Sequence, residues 1–200
     1  MSVLNKLVES QTVDSNNVDD YSGSVFIKES GFYVDKVKRA WAIESKGGAI
    51  GIHVEFEGEG MLEQDIWMTN KEGQTFYNKN GKDMAMAGYV QMKKLNYVLT
   101  GEFLTSLANL STTQKVVKYH EWIADPDNEG KKKKVDKEIE VDYIDDWTGK
   151  DVILGIQMKE KEEQTKQGDK YVGTGKRAED KDGNPYLDVD VIGYYNVETK

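Results

Sequence analysis

The stretch EQDIWMTNKEGQTFYNKNGK, residues 63–82, sets Trp67, Phe76 and Tyr77 among Asn, Gly and Lys. Two chemistries suit that mixture. Flat rings can stack on unpaired bases, for about 1–3 kcal/mol per base, while lysines meet phosphates. Alternatively the rings belong to a packed strand and the lysines to a solvated hairpin turn. Side-chain alternation bears on the choice. Trp67 shares its parity with Glu63 and Asp65, opposite Leu62, Ile66 and Met68, which assigns it to the outer face of a strand. Packing of Trp67 under a helix is the competing reading. Tyr77, Lys79 and Lys82 fall on the loop beyond that strand and are candidates for contact with a polynucleotide.

Further candidates lie on either side. Trp41 alternates with Arg39, so the two can form a stacked surface pair, or the ring can turn into the core. His53 occupies the polar face of AIGIHVEFE, where it stacks on a base or is a simple surface histidine. Tyr119 and Trp122 bracket His120 and Glu121, and their opposite parities require at least one ring to face outward. Lys36, Lys38 and Arg39 are close in sequence, and Lys131, Lys132, Lys133 and Lys134 form a run, either a phosphate clamp or a solvated hairpin tip.

Composition bounds these readings. The chain has 200 residues and a net charge of -9, with no cysteine and two histidines. Disulfides, thiolate metal sites and a three-histidine zinc site are thereby excluded. Bulk negative charge argues against a generic basic nucleic-acid binder, but affinity follows the local field. Lysines cluster as described, and acidic residues concentrate at Glu138 to Asp151 and Glu160 to Glu163, as a basic channel on an acidic body requires. No apolar run suits a membrane span or a signal sequence, so the expected location is a reducing cytoplasm.

The elements follow from periodicity. Residues 1–24 are polar and read as a flexible N-terminal arm, with a short helix possible over Val3 to Glu9; residues 25–200 read as a single domain. GFYVDKVKRAWAIE, AIGIHVEFE and MLEQDIWMT predict a three-stranded meander. In the second of these, Ile50, Ile52, Val54 and Phe56 share one face. From Lys82 apolar residues recur at three and four, predicting an amphipathic helix that ends at Gly101, with a shorter helix or turn over Glu102 to Leu110. QKVVKYHEWIAD and VDKEIEVDYID flank a hairpin loop, DVILGIQMKEKEEQ is a strand, residues 164–185 read as a mobile loop, and YLDVDVIGYYN closes the chain as a strand. Three strands, a helix, then more strands is the order of the OB-fold, a mainly β, five-stranded, partly open barrel that binds oligonucleotides on strands 2 and 3. The lysine-rich loop between Tyr119 and Val141 is then expected to join strands 4 and 5.

GFYVDKVKRAWAIESKGGAIGIHVEFE, IWMTNKEGQTF, the helix and the late IGYYNV strand resemble single-stranded DNA-binding proteins of tailed bacteriophages, over residues 30–110 and 186–197. The resemblance implies an OB-fold and the coating of single strands without sequence specificity in phage replication or recombination, inside the host cell. It implies no enzymatic activity and no cofactor. Many such proteins end in an acidic tail that recruits replication or recombination partners. This sequence ends YNVETK, so either that tail lies outside it or the mechanism does not apply.

Other motifs carry less. DPDNEG at Asp125, Asp127 and Glu129 starts like an EF-hand loop, but four lysines follow and position twelve is Asp136. GTGKRA, 173–178, lacks the strand–loop–helix context of a phosphate loop. HExxxD at His120, Glu121 and Asp125 is not the zincin spacing. Asp142, Asp145, Asp146 and Asp151 leave open a magnesium-dependent nuclease, or else form an acidic turn. A virion or scaffold interaction domain, its aromatics all in the core, is the third possibility.

Overall fold

In the computed structural model the described residues are 29–60, 62–104, 110–124, 126, 132–167 and 170–197, with the side chains of 120–122, 132, 134 and 170 outside that set. The expected arm, residues 1–24, and its helix lie outside it as well.

The alternating stretches form strands where the sequence predicts them: β1 (Gly31–Glu44), β2 (Ile50–Gly58) and β3 (Glu63–Trp67). Ile50, Ile52, Val54 and Phe56 turn inward as one buried row. The next segment departs from expectation. Phe76–Lys79 (β4) and Lys82–Ala85 (β5) pair as a separate two-stranded ribbon, so Lys82 does not begin a helix. Asn80 and Gly81 turn the ribbon with φ of 54° and 76°, the backbone that an Asn-Gly hairpin turn needs. Helix α1 (Ala87–Thr100) follows and ends at Gly101, whose N–H donates to the Tyr97 carbonyl. Glu102 to Leu104 are not helical, and 105–109 lie outside the described residues.

Two long strands, β6 (Thr113–Ala124) and β7 (Lys132–Tyr143), form a hairpin arm. A 3-10 turn, Asp145–Trp147, leads into β8 (Asp151–Glu160). The expected loop at 164–185 is largely a second ribbon, β9 (Glu162–Gln167) with β10 (Lys170–Arg177), followed by β11 (Leu187–Tyr195).

The fold is mainly β and antiparallel. One sheet of seven strands follows the path β11-β8-β1-β2-β3, with β7 also beside β1 and β6 beside β7. Lys132, Lys133 and Lys134 are therefore on β7, and the segment that joins β6 to β7 precedes β8 in the chain. It does not join the two strands β8 and β11, which the β9–β10 ribbon connects instead. β1 divides one edge between two partners: Gly31 to Lys36 pair with β8, and Trp41 pairs with Tyr143 of β7. The turn fills the gap between them, where Val37 N–H donates to Lys150 O and Ile144 N–H to Ala40 O. Trp147 fixes that turn from below, fully buried, its Nε1 donating to Asn96 Oδ1 of α1 at 2.9 Å.

The sheet curls around a core that includes Ile52, Val54, Ile66, Leu154, Met92 and Leu95. Its edge strands β3 and β11 run in the same direction without a ladder between them. Tyr194 Oη donates to Gln64 Oε1 across that seam at 2.7 Å, and α1 packs against both strands. A smaller cluster, Trp41, Val117, Val141 and Tyr143, lies where the arm folds onto the other face of β1. Among the described residues no helix is long and apolar enough to cross a membrane.

Helix and sheet meet most closely at Gly88, where a Cβ would collide with the backbone carbonyl of Trp67. Gly88→Ala raises helix propensity yet should destabilise the chain by about 1–3 kcal/mol, through overpacking against a backbone atom. Urea unfolding measures this; a gain in stability would mean the helix moves freely over β3.

Candidate functional site

The outer face of β1–β3 is a grid set by the strand register. Ile43, Gly51 and Trp67 form one row, Trp41, His53 and Asp65 the next, and Arg39, Glu55 and Glu63 the third. The lower rows hold a chain of opposite charges. Arg39 Nη2 lies 2.6 Å from Glu55 Oε1, His53 Nε2 lies 3.7 Å from the same oxygen, and His53 Nδ1 lies 2.7 Å from Asp65 Oδ1. The Arg39 and Glu55 side chains are only 7% and 4% exposed, so neither charge would be tolerated without the other.

Trp41 is the floor of this network. It is 3% exposed, with the His53 ring 4.4 Å from its own and the Arg39 guanidinium 5.3 Å from its centroid. The expected Arg39–Trp41 pair exists, but it is buried and is not an exposed stacking surface. The arm explains the burial, because Val117, Val141 and Tyr143 cover the ring. Burial works against a charged His53, and the hydrogen bonds and charges of Asp65 and Glu55 more than offset it, raising its pKa to about 9. Glu55 is pushed up by its own burial and held below the usual carboxylate range by His53 and Arg39.

A second group stands at the upper end of β3. Trp67 is 38% exposed and lies over Gly51, where a Cβ would come within 3.0 Å of Cε3. Its backbone touches Gly88. The β4–β5 ribbon leaves the sheet after Trp67 and returns at Gly88, so its root is near the Trp67 backbone. Every ribbon side chain is exposed. Tyr77 pairs with Met84 and Lys79 with Lys82, so one face carries a ring, a thioether and two lysines directly opposite each other. Asn78 works on the other face, donating to Asp83 Oδ1 and accepting from Gly81 N–H. Lys46, in the turn after β1, and Lys71 are exposed near the same end, the Lys71 stem lying against Gly47.

The sequence-predicted residues therefore divide. Tyr77, Lys79 and Lys82 share one face of the ribbon, and Trp67 is exposed at the end of β3 from which the ribbon departs. Arg39, Trp41 and His53 form the internal network. Lys36 is remote, 3.9 Å from Asp151, and Lys38 is half-buried on β1. Tyr119 is half-buried on β6 and faces the network across a pocket. Lys133 is exposed on β7; Lys132 and Lys134 are on the same strand with side chains outside the described set, as is that of Trp122, and Lys131 lies outside it altogether. Sequence reading did not single out Lys46 and Lys71, for which the position of the two loops was the available guide.

The four aspartates considered for magnesium have other partners or positions. Asp142 is buried against Gln114, Asp145 meets Thr113 and Lys115, Asp151 faces Lys36, and Asp146 is exposed. Among the described residues no three His, Asp or Glu side chains are grouped so as to hold a metal ion. Asp125, Asp127 and Glu129 lie outside that set. No family model, curated protein or solved structure matches the chain.

The His53 network yields a pH dependence. Its folded pKa exceeds the ordinary 6.5, so the stabilisation is complete below pH 6.5 and is lost as pH rises through about 9. The loss should be about 1–3 kcal/mol, read from urea midpoints at the two ends of that range. His53→Gln should flatten the profile; an unchanged slope would assign it to other groups.

Proposed function

We propose that this protein is a non-enzymatic single-stranded DNA-binding protein with an OB-fold, gripping the strand at the end of β3 and on the β4–β5 ribbon. The strand path β11-β8-β1-β2-β3, with same-direction edges bridged by Tyr194 and Gln64, supports a partly open barrel of five strands. In that reading the β6–β7 arm is an addition, and the β9–β10 ribbon occupies the place between the fourth and fifth strands.

The observation that carries the reading is the Lys79–Lys82 pair on the same exposed ribbon face as Tyr77 and Met84. Like charges opposite one another weaken a strand pair, and a phosphate between them removes that repulsion. The exposed rings supply stacking surfaces within the same stretch of chain. Lys46 and Lys71 extend the positive edge, while the carboxylates of the lower rows are largely matched by Arg39 and His53. The chain can thus carry net charge -9 and still present a basic end. The resemblance to phage proteins favours DNA as the polynucleotide and replication or recombination as its setting.

Quenching of tryptophan fluorescence by a mixed-sequence single strand, reversed by salt, tests this. Trp67→Ala should weaken binding by about 1–3 kcal/mol while leaving the urea midpoint nearly unchanged; equal losses in both would make Trp67 a packing residue. Lys79→Gln with Lys82→Gln should lower the slope of log K against log salt by about 1.4, at about 0.7 per phosphate contact. An unchanged slope would remove the ribbon from the site, and magnesium-dependent cleavage of the strand would point to the nuclease instead.

A further inference from the structure

Helix α1 buries Met92, Leu95, Asn96 and Leu99, while Val90, Lys94 and Tyr97, spaced at four and three along the opposite side, are exposed. Two pairs of exposed rings adjoin that side. Tyr97 stacks on Phe103, with ring centroids 4.1 Å apart and planes 20° apart. Tyr195 of β11 meets Phe32 of β1 edge to face at 5.4 Å. Gly155 and Gly193 leave room for this second pair, since a Cβ at either would come within 3.0 Å of the Tyr195 side chain or closer. Lys94 Nζ stands 5.3 Å from the Tyr195 centroid and so links the two pairs. Lys93 adds a second charge, its Nζ 5.3 Å from the Tyr89 centroid. Phe32 and Phe103 are 68% and 75% exposed. No Asp or Glu occurs from Met84 to Gly101, in a chain that holds 36.

We propose that the single strand held by the β4–β5 ribbon continues along the outer side of α1, its bases stacking on the Tyr97–Phe103 and Phe32–Tyr195 pairs and its phosphates meeting Lys93 and Lys94. The proposal rests on the single-strand reading above and adds the course of the strand to it. Two observations choose this occupant. Exposed rings interleaved with lysines accept base faces and phosphates together, and a stretch without carboxylates supplies the local field that an acidic chain needs in order to hold a polyanion. The surface is also continuous with the ribbon, because β5 ends at Ala85 and α1 begins at Ala87. With 14 residues, α1 extends the track by about 21 Å.

Anisotropy titrations of the full chain with labelled oligo(dT) of about 4 and about 16 nucleotides, the range of spans such folds cover, test it. Phe103→Ala, at a well-exposed position, should weaken binding of the longer strand about tenfold, as loss of one stacked base does, and leave the shorter one unchanged. Lys94→Gln should lower the slope of log K against log salt by about 0.7 for the longer strand alone. Native affinity of both variants for the longer strand, or equal weakening at both lengths, would overturn the course along α1 while single-strand binding at the ribbon stands. A fall in sedimenting mass in place of a fall in affinity would assign this face to a second copy of the chain and overturn the proposal as well. Failure of the native protein to bind either length would overturn both readings.

Discussion

Val37 and Ala40 exchange backbone hydrogen bonds with the turn at residues 144–150, where a strand would otherwise run. This substitution allows β1 to take β8 along its first half and β7 near its end. The opposite side of β1 answers with a register shift between Val37 and Arg39 against β2. One strand therefore belongs to the main core through Val37, Ala40 and Ala42 and to the arm cluster through Trp41. Trp147 holds the turn because its indole is buried and its N–H is satisfied by Asn96. Without that anchor a buried donor would be left unpaired, at about 1–3 kcal/mol, and the arm would lose its fixed angle to the sheet.

The angle of the arm in turn decides the electrostatics of the outer face. By covering Trp41 it dries the row below, and Arg39, Glu55 and His53 are obliged to neutralise one another. Their pairing keeps a protein of high negative charge from presenting an unmatched acidic trough across β1–β3. Positive groups such as Lys46, Lys71, Lys79 and Lys82 stand at the periphery, on loops and the ribbon, where their side chains are solvated. Buried and solvated charge thus occupy neighbouring elements of the same fold.

Much of this was legible in the sequence and the remainder was not, for identifiable reasons. AIGIHVEFE and MLEQDIWMT have one buried face, and burial writes a period of two into the residues. The β9 and β10 strands have side chains exposed on both faces, so no such period exists in EEQTKQ or KYVGTGKR and the segment reads as loop. FYNK and KDMA are short and exposed throughout, so the first reads as loop and the helical period beginning nearby absorbs the second. The fate of Trp41 depended on Val117 and Val141, which no local pattern links to it. The ion pair of Arg39 with Glu55 was hidden likewise, since register across strands is not written in either strand alone. Trp67 was open to parity reasoning because Ile66 and Met68 on either side are strongly apolar.

The β4–β5 ribbon contributes no residue to either apolar cluster. Its sequence is consequently released from the packing constraints that govern the seven-stranded sheet. Substitutions there can change its length or charge across generations while thermostability stays constant, so that variation of this surface and maintenance of the fold proceed as separate evolutionary problems.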